Sequence, residues 1–301
     1  MPTPTPLDFA FSPIRDLHQD RTRRIHGLFQ TAFGETERPA DTYCLAHHAL
    51  EGAEAAARAG DTSSFDWYQA HPDANGTALA TPTAVGPRIV VSPDPGRMLR
   101  SPISDTAYYV LGPDTTVASA NELTLTATAY ATAARHGFGD LLADHAVVTC
   151  LLRRKALGDT LISWAITRLP GTVYTDHVDD PAVLGRDLIH EAGHNWLNDA
   201  LTSTGCKLDE AETFHSPWRN SPRPAFGFLH ACWAFPLTMI YTARVLAETT
   251  GSVRRFLTGY LDQQRRLLET TTTDHETALT LIPHPVLQQR LRNVYIEALT
   301  L

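Results

Sequence analysis

Two histidines four residues apart, with a glutamate beside the first, are the residues of this 301-residue chain best spaced for metal chemistry: His190-Glu191-Ala192-Gly193-His194. On an α-helix, positions four apart share a face, so His190 and His194 can close on one cation from the same side. Glu191 is rotated off that pair but stays within reach of a ligand on the metal. The ordinary reading of HExxH is a zinc hydrolase in which the glutamate is the general base that activates water. A chance HExxH on a surface helix is the competing reading, and the surrounding residues decide between them.

Two imidazoles leave the cation short of a third protein ligand. A metzincin would place glycine three residues after the second histidine and a third histidine six after it. Leu197 and Ala200 stand there instead, which excludes that class. Glu210 and Glu212 are the carboxylate candidates, in an acidic stretch that also fits a solvated loop or a helix start. His230 is the imidazole candidate, on an apolar helix with Phe226, Leu229, Trp233 and Phe235. A lone histidine in such company is more often a satisfied core residue, but the unfilled ligand position favours a ligand here. His215 is a weaker candidate.

Between the motif and His230 stand Arg219 and Arg223, each framed by proline or tryptophan. The planar guanidinium grips a carboxylate through a fork of donors. Prolines on both sides of Arg223 reduce the entropy lost in holding that fork still. Asp187, one turn before His190, is placed to accept the second ring N–H of a ligating histidine, and equally fits a surface carboxylate near a helix start.

The elements that must position these residues are mostly helical. Apolar spacing predicts helices over 14–33, 43–59, 119–136, 153–168, 225–249, 252–269 and 284–299, with Pro236 bending or interrupting its helix. The motif helix starts at the Asp180-Pro181 cap, runs over 182–202 and stops near Gly205; Leu184, Leu188, Ala192 and Leu197 put the histidines at a core boundary. Strands are predicted at 88–92, 107–111, 146–152 and 171–175, the last as an edge strand beside the motif, and 70–105 otherwise reads as a long loop. The expected architecture is α+β and predominantly α-helical: a zincin-like metal-site helix, a small sheet and a helical N-terminal part. No linker is evident, so 1–301 reads as one domain with a helical part over 1–140 and a metal-site part over 141–301.

Composition narrows the class. With 43% hydrophobic and 19% charged residues the chain is globular, and a net charge of −8 argues against a general nucleic-acid partner. No apolar run approaches a membrane span, and the Met1–Pro6 start reads as a short extended tail without a secretory signal. Cys44, Cys150, Cys206 and Cys232 form no CxxC pair, which suits reduced thiols in the cytoplasm.

His190-Glu191-Ala192-Gly193-His194, Ser216-Pro217-Trp218-Arg219, Pro222-Arg223-Pro224, Gly227 and Leu229-His230-Ala231 together resemble the HExxH-motif proteins encoded beside genes for ribosomally made, modified peptides. That family includes the iron- and 2-oxoglutarate-dependent HExxH-type peptide β-hydroxylases. The likeness covers roughly residues 183–235 and no quotable motif in 1–150. It implies Fe(II), 2-oxoglutarate and O2 as cofactors and a precursor peptide as substrate. Arg219 or Arg223 would then neutralise the far carboxylate of 2-oxoglutarate. The commonest site of this kind has two histidines and one carboxylate. A set of His190, His194 and His230 departs from it, which keeps Glu210 and Glu212 open as the third ligand. Glu191 becomes a residue that positions ligands or contacts substrate rather than a base. The alternatives are a zinc peptidase that trims a peptide, with Glu191 as base, and a non-catalytic metal- or peptide-binding protein.

Overall fold

The computed structural model of the chain describes residues 7–31, 37–100 and 105–301. Helix α1 (Ser12–Leu28) buries Ile14, His18, Thr22 and Ile25 at the spacing of one helix face; Phe33, where the sequence pattern ends this helix, lies outside the described residues, as does the Met1–Pro6 tail. Helix α2 (Pro39–Ala59) ends as expected at Gly60. Helix α3 (Thr62–Ala70), capped by Asp61 Oδ1 on Ser64 N (3.0 Å), and the single turn α4 (Gly76–Leu79) lie where no helical period shows.

Strand β1 (Ile89–Val91) matches its prediction, and β2 (Leu99–Arg100) pairs antiparallel with β3 (Ala107–Tyr108). Helix α5 (Ala120–Ala133) opens on a capping box of Ser119 and Glu122, and α6 (Gly139–His145) leads into β4 (Val148–Arg154). The main departure from the sequence reading is at 153–168, predicted as helix. There β4 runs on to Arg154, the chain turns at Gly158 (φ 103°), and it returns as β5 (Ser163–Trp164). The buried Asp176 carboxylate favours this path: it accepts from the backbone N–H of Arg153 (3.2 Å) and of Ile162 (3.4 Å), so one side chain satisfies both arms of the loop.

A second correction follows. Strand β6 (Thr172–His177) covers the predicted strand at 171–175 but is not an edge. The sheet runs β1-β4-β6-β5, with β6 parallel to β4, antiparallel to β5 and buried throughout. The edge is β5.

Helix α7 (Pro181–Ser203) carries the HExxH residues, and its start is the predicted one: Asp180 Oδ1 accepts from Ala182 N (2.9 Å) and Val183 N (3.1 Å) around Pro181. Between Ala182 and Leu201 every residue is buried except His190, His194 and Asn198, an i, i+4, i+8 stripe. Helices α1, α5 and α6, strand β6 and helix α8 (Ala225–Val245) cover the rest. Helix α8 runs through Pro236 without the interruption predicted there, and Thr238 Oγ1 donates to the neighbouring Phe235 carbonyl (2.8 Å). Before α8 stands a hairpin of β7 (Thr213–Ser216) and β8 (Ser221–Pro224); after it come α9 (Gly251–Glu269), α10 (Thr272–Leu279) and α11 (Pro285–Leu299). Helix α10, in a threonine-rich stretch, has no sequence signal. The architecture is α+β and predominantly helical. Among the described residues, no helix is long and apolar enough to cross a membrane.

Asp199, near the end of α7, ties this helix to the N-terminal ones. Its Oδ2 accepts from His18 Nε2 of α1 (2.8 Å), and His145 Nδ1 at the end of α6 lies 3.5 Å away, long for a full hydrogen bond. Burial works to push the Asp199 carboxyl up, but His145 and His18 outweigh it and hold the group well below the usual carboxylate range. Asp199→Asn is therefore expected to cost about 3–5 kcal/mol, the scale for unpairing a buried charge, measured as a lowered urea midpoint. Because the folded-state pKa is depressed, the wild-type advantage is full above about pH 4 and is lost as the pH falls further. Equal stability of the two proteins at neutral pH would contradict this account.

Candidate metal centre

The open stripe of α7 brings His190 Nε2 and His194 Nε2 to 3.1 Å, with the rings edge to face. The third histidine arrives because α7 and α8 approach closely at Gly193. A Cβ there would stand 3.0 Å from Leu237 Cδ1, and Trp233 Nε1 donates to the Gly193 carbonyl (3.0 Å). This contact sets His230 Nδ1 3.0 Å from His194 Nδ1. The three predicted imidazoles are thus side by side, although His194 meets its neighbours through different nitrogens. Among the described residues, the group of ligand atoms lying within 4.8 Å of one another is His190, Glu191 and His194. His230 lies outside that group, meeting it only at the Nδ1 of His194, and Glu210 and Glu212, which are exposed, lie outside it too. His215 is exposed on β7.

Burial keeps the imidazoles neutral. It pushes His194 down to about 4 and, with help from the neighbouring rings, holds His190 and His230 well below the ordinary histidine range. Neutral imidazoles carry the lone pairs that a cation needs. Two such nitrogens at 3.1 Å require a shared proton or a cation between them, and His230 Nε2 is buried without a hydrogen-bond partner. The donor set fits a divalent cation of the iron or zinc kind.

Glu191 sits behind the histidines. Its Oε1 accepts from Ser163 Oγ of β5 (2.7 Å), and its Oε2 is buried without a partner. Burial pushes the carboxyl up to about 8, the Ser163 bond opposing and Asp187 adding to the rise. Ser163 escapes a reading of the sequence because its segment looks helical. Asp187 is not a surface carboxylate: it is buried, and its Oδ1 takes Arg186 Nε (2.8 Å) and Nη2 (2.6 Å), so no bond to a histidine forms. Arg186 in turn lies over the rings of Tyr260 (4.6 Å) and Phe256 (5.2 Å).

The histidines open onto a cleft of about 800 Å³ walled by Trp164, Trp218, Phe226 and Phe235, and both predicted arginines, Arg219 and Arg223, line it. Neither forms an ion pair among the described residues. Arg168, which the sequence did not single out, also lines the cleft but is committed to Glu51 (2.7 Å) and Glu54 (3.2 Å). The segment around the arginines is the β7–β8 hairpin, and Trp218 at its turn tethers it. Trp218 stacks on Phe235 (4.7 Å, 7°) and donates through Nε1 to Gln264 (2.8 Å), while Phe235 packs on His190 (4.8 Å). Glu191 does not line this cleft; it lines a smaller cavity that adjoins the cleft at His190, Arg219 and Phe235.

No protein-family model matches the chain, nor does any curated protein.

Two outcomes test this geometry. His194→Ala is expected to abolish cobalt(II) binding, and His230→Ala to weaken it by at least the about tenfold loss that removing even an outer partner produces. Unchanged affinity in His230→Ala would remove that residue from the ligand set. For Glu191 the folded-state pKa is raised, so its contribution is intact below about pH 4.5 and is lost as the pH rises through 8. Metal-free Glu191→Gln should accordingly match the wild type near pH 4 and exceed it by a few kcal/mol (order of magnitude, ~2–4) at pH 8, as read by chemical denaturation at both pH values.

Proposed function

We propose that this protein is an iron(II)- and 2-oxoglutarate-dependent oxygenase that hydroxylates the β-carbon of a residue in a ribosomally made precursor peptide in the cytoplasm. The observation that carries this reading is the pair of arginines, free of carboxylate partners, on the wall of the histidine cleft. A hydrolase needs a cation and a base. An oxygenase of this type must also hold a dicarboxylate, chelated at one end and anchored by a cationic side chain at the other. When bound, iron(II) with 2-oxoglutarate and O2 supplies an oxidation in which one oxygen atom ends in the product hydroxyl and the other in succinate, with loss of carbon dioxide.

The chain's own residues then have separate tasks. His190, His194 and His230 would hold the cation as neutral donors. Trp164, Trp218, Phe226 and Phe235 line the cleft with apolar surface and keep water from the reacting carbon. Glu191, held by Ser163 in the cavity that adjoins the cleft at His190, suits a residue that orients its surroundings.

One observation favours a zinc peptidase as a second reading: the edge strand β5 lies beside the motif helix, where an extended peptide can pair with it. The assay that separates them is aerobic incubation with iron(II), 2-oxoglutarate and the precursor peptide encoded beside the gene. The expected product is the peptide heavier by one oxygen atom, with succinate formed in step. Peptide cleavage by the zinc-loaded protein that disappears in Glu191→Ala, with no succinate from any peptide, would replace the oxygenase by the peptidase.

A further inference from the structure

The space in front of the histidines continues along α7 in both directions. Toward the helix start, a cavity of about 360 Å³ beside Arg186 and Asp187 adjoins the cleft at His190, Arg219 and Phe235. Toward the helix end, a groove of about 420 Å³ leaves the cleft at Asn198, Arg223 and Gly227 and reaches Thr202. The floor from Arg186 to Thr202 is roughly 24 Å long by the helical rise, the span of about seven extended residues. The two arginines stand at different stations on it. Arg219 is on the His190 side, next to the tethered Trp218, and lines one cavity with Ile162 and Ser163 at the sheet edge. Arg223 is on the His230 side and lies against the first turn of α8, where a Cβ on Gly227 would stand 3.2 Å from its Nη2.

That first turn has the features of an anion seat. Helix α8 starts without a side-chain cap and without an acidic residue in its first turn. Its first N–H, on Ala225, already donates to the Glu212 carbonyl (2.7 Å); the remaining N–H groups of the turn and the dipole favour negative charge. A guanidinium placed there adds like charge, which is unfavourable until an anion arrives. One turn on, His230 lines the same cleft, is only 7% exposed and carries the unpartnered Nε2.

We propose that the two arginines serve two different carboxylates: Arg223 with the open start of α8 holds the far carboxylate of 2-oxoglutarate, and Arg219 selects an acidic side chain of the peptide. This rests on the oxygenase reading. It makes the substrate an extended segment passing β5 and His190, with a glutamate or aspartate at a fixed offset from the modified residue.

The test starts with binding. Protein loaded anaerobically with iron(II) is titrated with 2-oxoglutarate while the visible charge-transfer band is followed. Arg223→Gln is expected to bind about tenfold or more weakly, the scale of one charge-assisted pair, and Arg219→Gln to stay within about twofold of the wild type, as for a site with no shared partner. Gly227→Ala favours the helix but crowds the Arg223 fork, so it should raise the melting temperature and weaken 2-oxoglutarate binding together, a combination that misfolding does not produce. In the second arm, the iron(II)- and 2-oxoglutarate-loaded protein is bound to a synthetic peptide array in which one Glu, Gln or Lys scans an alanine–glycine background. Glu peptides should be preferred, and Arg219→Glu should shift the preference to Lys peptides. Loss of 2-oxoglutarate binding in Arg219→Gln but not in Arg223→Gln would overturn the assignment and leave the oxygenase reading standing. Absence of any charge preference would overturn the peptide half. No 2-oxoglutarate binding by the wild type would remove both.

Discussion

The structure depends on how completely α7 is enclosed. A helix packed on nearly every side has one free stripe, and here that stripe carries His190, His194 and Asn198. The elements around that stripe fix the rings relative to one another and leave them only partly exposed. Desolvation then disfavours protonation, so the imidazoles are ready to donate lone pairs at neutral pH without a nearby base. The same enclosure acts oppositely on Glu191, where removing water favours the protonated carboxyl. One physical cause therefore prepares neighbouring residues of a pentapeptide in ways that suit different tasks.

The electrostatics of the cleft follow from what does and does not neutralise its charges. Arg168 is spent on Glu51 and Glu54, and Arg186 on Asp187, whereas Arg219 and Arg223 form no ion pair among the described residues. With uncharged histidines on the floor, the cleft is cationic in a chain whose overall charge is negative. An anionic ligand is drawn toward the two arginines of the cleft. Aromatic walls raise the strength of any ion pair formed there by lowering the local dielectric. The tether through Trp218, Phe235 and His190 gives the arginine-bearing hairpin and the metal-site helix a common mechanical support.

Much of this was legible in the sequence, and the exceptions have physical reasons. The motif helix could be drawn with its cap at Asp180-Pro181 and its stop near Gly205 because capping chemistry is local. The coming together of His190, His194, His230, Arg219 and Arg223 around one cleft could also be anticipated, since unusual residues were grouped within a short span. What was hidden depends on distant partners. The stretch 153–168 has apolar residues at helical spacing, yet Asp176, on another strand, holds it as a loop. That concealed both the true edge strand and Ser163, the partner of Glu191. Pro236 predicts a bent or interrupted helix; the helix is not interrupted, since packing of α8 on α7 offsets the loss of one backbone bond. Asp187 also fitted a surface carboxylate, because it is bonded to Arg186, whose guanidinium lies over Phe256 and Tyr260 of α9, far away in the chain.

The bond between His18 and Asp199 spans 181 positions of sequence and joins the first described helix to the one bearing His190 and His194. Stability gained by α7 is consequently shared with α1. A cation captured by the histidines stabilises the folded state by mass action, and part of that gain must appear at the opposite end of the polypeptide, as resistance of α1 to local opening and to proteases. The motif-bearing stretch alone lacks this buttress, so its chemistry belongs to the whole chain rather than to a portable cassette.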